Sequence, residues 1–377
     1  MDKYNLFFHD CIMVDNAIWF SAKYYNGLYR YDLVEGRTEW IGDFSNETML
    51  QKVLYYKVCK YQNYLIFIPC NAKKIVLFDI KKRVFKYVDL AGVEKNYSSI
   101  SWKYMEGTVY QDSLYLIGCT LPVIVKVDLK SFSIEIVFQV NRKQEYVDGN
   151  YFGIQTATNN NLMYIPCCFE NSILVLDMNT DKISWIKVGE IKNCYSRVLN
   201  DGWKFYLLEE NTNCIIFFDK EKNLFENMDI KFKKKYTDAL MCFNENYIWI
   251  ISINSGEAYQ INKMDYRKCN HIDFEEDFFV EYVAPYREGI CFVDGNTGKW
   301  YYVNEEGQIS RLAIRIKEPR EKEDIWRRIG EFHGLIEENK FFPMQDYICY
   351  GINKNRAKTR ERIRTELGRE IWDIKDL

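Results

Sequence analysis

Short apolar runs closed by polar turns recur along the chain in one fixed order. The stretch "IPCNAKKIVLFDIKKRVFKY" (68–87) holds a Cys, an apolar run ending in Asp79, a basic turn and more apolar residues. It returns 49 residues later as "IGCTLPVIVKVDLKSFSIEI" and 49 residues after that as "PCCFENSILVLDMNTDKISW". The residue closing the run is Asp32, Asp79, Asp128, Asp177, Asp219, Asn262 and Asn304, at intervals of 47, 49, 49, 42, 43 and 42 residues. Upstream of each lies another apolar run opened by a turn, as in "QNYLIFI", "QDSLYLI" and "NENYIWI"; downstream, a polar turn leads to a third, as in "VFKYVDL" and "IEIVFQV". Runs of this length between Asn, Asp and Gly turns read as strands.

Four short strands in a period of about 40 to 50 residues are the signature of a propeller blade. One such sheet alone leaves an apolar face in water, so blades must stack around an axis. Seven copies, from about His9 to Ile314, close a ring. The expected fold is all-β, a seven-bladed β-propeller of four-stranded blades over residues 1–315. A β-sandwich has no reason to keep Asp at one place in unit after unit. A carboxylate there can accept backbone N–H bonds from the following turn, which is the role expected for Asp32, Asp79, Asp128, Asp177 and Asp219.

The pattern changes after about residue 315. Residues 316–377 read as a separate extension, in which Ile363, Leu367, Ile371 and Ile374 fall on one face of an amphipathic helix. "GLIEENKFFPM" resembles a further strand pair, which leaves open an incomplete eighth blade completed by residues 3 to 8.

Composition narrows the class. With 47% hydrophobic and 28% charged residues the chain is globular rather than disordered. Its net charge of −3 makes no case for a whole-protein polyanion binder. The first residues, "MDKYNLFFHDCIMVDNAIWF", do not read as a signal peptide, and no apolar stretch is long enough to span a membrane. The twelve cysteines are therefore expected as free thiols in a reducing cytoplasm.

The turn region is similar to the tryptophan-docking repeat of quinone-type propellers. "DLVEGRTEW" supplies Asp32, Gly36 and Trp40, "DMNTDKISW" supplies Asp177, Thr180 and Trp185, and "DIKKRVFKY" puts Tyr87 where the Trp would stand. "DGNTGKWYY" echoes the Thr-Gly turn from a different strand position. In two or three blades, then, the chain resembles the broad quinoprotein-like, YVTN-like propeller class. That resemblance draws attention to Cys167-Cys168, because the quinone enzymes carry a disulfide between adjacent cysteines beside the cofactor. Cys168, however, stands in register with Cys70 and Cys119, each nine residues before its Asp. The three are expected to be small packing residues at strand ends, and no cofactor is expected. The signatures of kelch and WD repeats are absent.

Three histidines, His9, His271 and His333, lie in different units without metal-ligand spacing, so neither a metal site nor His-based catalysis is expected. The innermost strand is more informative. One register reads Asp10, Lys57, Glu106, Gln155, Arg197, Leu240 and Tyr282; its neighbour reads Cys11, Val58, Gly107, Thr156, Val198, Met241 and Val283. Polar in six blades of seven against apolar or small, this alternation fits strands with one side facing a channel. Two readings of the six polar residues stay open. They can be ion-paired neighbours joining blades, or a ring of donors and acceptors for a small polar ligand.

The loop "KFKKKY" (231–236) and the acidic "DFEEDFF" (273–279) are expected to offset one another, leaving Lys231, Lys233, Lys234 and Lys235 without a phosphate to bind. The basic run from Lys354 to Arg364 lacks interleaved aromatics, which argues against nucleic acid. The expectation is a non-enzymatic cytoplasmic propeller that binds a protein partner or a small polar ligand at one face, with the C-terminal helix as a second contact surface for a partner or an oligomer. The alternative is a propeller enzyme acting on a saccharide or other polar substrate, with Asp10 and Glu106 as acid and base.

Overall fold

The computed structural model describes residues 6–317 and Pro319, apart from residues 25, 46, 49–50, 96–99, 141–148, 189–194, 203, 210–213, 223, 231, 234–237, 275–277 and 318. Seven antiparallel sheets of four consecutive strands make up this part of the chain. The blades span residues 11–42, 55–89, 104–139, 157–187, 195–229, 239–273 and 280–315. First strands of successive blades touch one another, so they line the axis and the fourth strands form the rim. Among the described residues no helix is long and apolar enough to cross a membrane.

The second strands are apolar throughout because both of their faces are covered. In Tyr64–Pro69 of blade 2, Leu65 and Phe67 pack toward blade 1 while Ile66 and Ile68 pack toward blade 3. Successive strand residues point to opposite faces, so a continuous apolar run is what a sheet buried on both sides requires. Seven clusters of buried side chains result, each shared by two consecutive blades.

The seventh cluster decides how the ring closes. Blade 7 contributes Cys291, Val293 and Trp300, blade 1 contributes Ile18, Phe20 and Tyr29, and Leu6, Phe8 and Ile316 fill the seam. The backbone N–H of Leu6 donates to the carbonyl of Ile316 at 3.3 Å. Blades 7 and 1 are thus direct neighbours. Residues 6–8, one of the two pieces considered for an eighth blade, cover this seam instead. The other piece and the helix at 363–374 lie outside the described residues, as does His333.

The closing Asp residues behave as their position demands. Asp32 Oδ1 accepts the N–H groups of Val34 and Glu35 at 2.9 Å, and Asp128 Oδ1 those of Lys130 and Ser131 at 2.9 and 2.6 Å. Asp79, Asp177 and Asp219 accept from their own turns, as do Asn262 and Asn304. Backbone N–H donors hold the carboxyls of Asp32 and Asp128 below the ordinary range. An amide has the same acceptor oxygen, which is why Asn can take the place in blades 6 and 7.

Candidate functional site

Each first strand begins on one face of the ring, termed the top, where the connections between blades also run. The polar register singled out in the sequence starts there, but its side chains mostly reach sideways to other blades rather than simply into the channel. Asp10 accepts the Val58 N–H of blade 2 at 3.0 Å, and Lys57 Nζ lies 3.5 Å from Glu106 Oε1 of blade 3. Arg197 donates to Asp238, just ahead of blade 6, at 3.2 Å. Leu240 packs into the blade 6–7 cluster. The ring of Tyr282 lies in the blade 7–1 seam, 6.0 Å from both Phe8 and Trp300, with its phenol beside Cys11. Tyr282 thus belongs to the seam. The alternation read as channel against core is in fact one neighbouring blade against the other, because the two faces of a blade both face blades.

Gln155 is placed by a device of its own. Residues 153–155 leave blade 4 and run along blade 5: Ile154 N–H donates to Ser196 O at 2.8 Å, and Val198 N–H to Gln155 O at 3.1 Å. Gln155 pairs in parallel with Arg197, and its side-chain amide donates to Met241 O of blade 6 at 2.9 Å. Only glycine fits at 153, since a Cβ there would meet Ser196 O at 2.4 Å.

Burial governs the electrostatics near the axis. It raises the carboxyls of Asp10 and Glu106 above their ordinary values, and Glu106 above all holds the Lys57 ammonium on. Both carboxylates face the same ammonium and both shift upward, so the geometry does not divide them into an acid and a base.

A second group at the top mouth leaves no trace in the repeat pattern. His9, just ahead of blade 1, stacks on Tyr56 of blade 2 with ring centroids 4.7 Å apart and an interplanar angle of 23°. Trp102, ahead of blade 3, stands edge-on to both rings at 6.4 Å. It is exposed and holds φ at +59°, a left-handed conformation unusual for a bulky residue. Asn71 Oδ1 accepts its N–H at 2.9 Å and the Thr120 hydroxyl donates to its carbonyl at 3.0 Å. Glu281 of blade 7 lies 3.6 Å from His9 Nδ1 and 2.5 Å from Lys23 Nζ. Burial first, and the Lys23 charge second, lower the His9 imidazole to about 3, so it is neutral at pH 7.

The Tyr56 phenol is pushed up to about 12 by burial, while the charges of Arg197 and Asp238, from the far side of the ring, act on it in opposite senses. Several buried side-chain polar atoms have no hydrogen-bond partner among the described residues, Trp19 Nε1, Tyr206 Oη and Trp249 Nε1 included, and His9 Nε2 and Arg197 Nε at the top of the ring are among them. Buried polar atoms are normally satisfied, so such exceptions call for a physical account.

Elsewhere, Lys233 pairs with Asp273 at 2.5 Å, so the opposed loops do meet; Lys231, Lys234 and Lys235 lie outside the described residues. His271 is held by Glu257 at 2.8 Å on the outer strand of blade 6. Cys70 and Cys119 share a small buried cluster with Val53 and Met105, and Cys167 and Cys168 are buried, their thiols donating to the carbonyls of Ile165 and Tyr195 at 3.8 and 3.4 Å rather than joined in a vicinal disulfide.

No family model and no curated protein matches the sequence. Among solved structures, virginiamycin B lyase from Staphylococcus aureus superposes with a TM-score of 0.59 at 12% identity, covering 78% of this chain and 95% of that one. BamB from Moraxella catarrhalis gives 0.56 at 13% identity, covering 85% and 91%. A catalytically inactive variant of the lyase, with quinupristin, gives 0.55 at 12% identity over 70% and 85%. At such identities the likeness is one of fold: the chain is a seven-bladed β-propeller.

Proposed function

We propose that this propeller is a binding protein, not an enzyme, and that it takes a small polar ligand at the top mouth of its channel. The observation that carries this reading is the presence at the top of the ring of two buried polar atoms without partners among the described residues, His9 Nε2, in the ring stacked on Tyr56, and Arg197 Nε. The nearby Glu281 carboxylate favours a proton on Nδ1, which leaves Nε2 an acceptor, whereas Arg197 Nε is a donor. A ligand bearing both functions satisfies both atoms. The mouth also has the usual make-up of a ligand site, a few convergent polar groups set among aromatic rings.

A thermal-shift panel of sugars, nucleosides, phosphates and small carboxylates tests this. A ligand at about 100 times its Kd adds about 2.7 kcal/mol to native stability. The expected result is a stabilising compound whose effect disappears in His9→Phe and Arg197→Lys. A hit that survives both substitutions refutes the site. A silent panel, with all three proteins equally folded, refutes the small ligand and moves the reading to a protein partner, for which exposed Trp102 and Phe279 on the same face are the anchors. The cytoplasmic setting belongs to the same proposal.

A further inference from the structure

The charges at the top mouth are already matched to one another. Lys23 pairs with Glu281, Lys57 with Glu106 and Arg197 with Asp238. The remaining carboxylate, Asp10, accepts a backbone N–H and faces Lys57. Among the described residues, an anionic ligand entering here finds these three cations already paired and an excess of carboxylates around them. To bind, it must compete with a carboxylate for one of these cations, which costs part of the attraction the pair already has. A cationic ligand finds only Asp10, whose charge burial opposes. A neutral ligand disturbs none of these pairs.

The aromatic geometry narrows the class further. His9 and Tyr56 lie nearly parallel, and Trp102 meets them at 74° and 69°. The rings therefore form a corner, not a slot between parallel faces. A flat base can lie on only one wall of a corner, whereas a puckered ring offers C–H groups to both walls and hydroxyls to the remaining sides. Hydroxyls both donate and accept, as the His9 Nε2 acceptor and the Arg197 Nε donor together require. The left-handed backbone of Trp102, an unfavourable conformation for a bulky residue, is held by Asn71 and Thr120 from two neighbouring loops.

Building on the small-ligand reading above, we infer that the ligand is a neutral saccharide, seated in the corner of Trp102, His9 and Tyr56 with its hydroxyls on His9 Nε2 and Arg197 Nε. The Trp102 indole is the platform, and the closed ion pairs set the preference for an uncharged sugar.

The test titrates the full chain with three groups of compounds, following tryptophan emission and calorimetric heat. The first holds neutral sugars: glucose, galactose, maltose, cellobiose and lactose. The second holds charged relatives, glucuronic acid and glucose 6-phosphate, and the third holds adenosine and uridine. The expected result is binding of at least one neutral sugar, with a Kd unchanged between about 50 and about 500 mM salt, because no ion pair forms or breaks. Trp102→Ala and Arg197→Lys should each weaken it by about tenfold or more, with unchanged circular dichroism showing that the ring is intact. If a charged compound or a nucleoside binds instead and loses affinity in the same variants, the mouth remains a ligand site and the saccharide class is overturned. If nothing in any group binds the wild-type protein, the saccharide inference and the small-ligand reading fall together.

Discussion

His9 should make the protein less stable as pH falls, through a path that one substitution removes. Its imidazole is lowered from 6.5 to about 3 by burial, with Lys23 adding to the effect. The folded state therefore holds His9 neutral while the unfolded chain protonates it. The sign follows: the stability contributed by the neutral ring is complete above pH 6.5 and is lost as pH falls from 6.5 toward 3. Linkage with these two values gives a loss of about 2 kcal/mol between pH 8 and pH 5, approaching about 5 kcal/mol below pH 3. Asp10, Glu106, Glu47 and Glu94 have raised carboxyls, and their contribution runs the other way, improving as pH falls. The raw stability curve thus mixes opposite trends. The difference between wild type and His9→Phe, which keeps a ring against Tyr56, isolates the histidine. Urea unfolding of both proteins from pH 8 to pH 5 should show the wild type losing about 2 kcal/mol relative to the variant. Parallel curves, or an NMR titration placing His9 near 6.5, would refute a buried neutral imidazole. Since the chain has three histidines, the signal can be assigned by single substitutions.

Lys57→Met should cost about 1–3 kcal/mol by leaving the buried Glu106 carboxylate without its partly exposed cation. With both carboxyls raised, part of that loss should be recovered as pH falls and Asp10 and Glu106 protonate, which urea unfolding at pH 7 and pH 5 will show. Phe8→Ala, at the seam that closes the ring, should cost about 3–5 kcal/mol by denaturant unfolding; a loss below about 1 kcal/mol would show that the seam does not hold the ring. Cys269 is the one exposed thiol among the nine described, so Cys269→Ser should remove one fast-reacting equivalent from a native thiol titration. Cys70, Cys119, Cys167 and Cys168, all buried, should react only on unfolding.

The repeat was legible because a blade writes its own period into the chain. Asp32, Asp79, Asp128, Asp177 and Asp219 bind the N–H groups of their own turns, a contact spanning two or three residues, so local spacing alone predicts it. The candidate site was legible only in part. The register of Asp10, Lys57, Glu106, Gln155 and Arg197 does start at the top of the ring, but the partners of these residues sit on other blades, tens of residues away. Tyr282 follows the same register and ends in the seam, because its neighbours there are Phe8 and Trp300. His9 stood out only as one of three histidines without metal-ligand spacing, and Tyr56 and Trp102 carried no signal. Each lies at the start of a blade or in the connection leading to it, where no period holds, and they meet only when the ring closes.

The sequence by itself determined the number of strands in a blade, the number of blades and the turn that closes each third strand, because these follow from contacts within one unit. The tertiary structure decided which side chains share the top mouth, which ion pairs close and which buried polar atoms, His9 Nε2 and Arg197 Nε among them, are left without partners. The physical reason is that closure brings blade 1 against blade 7 and blade 2 opposite blade 5. A contact across an axis depends on the angle each blade turns through, which no periodicity along the chain records.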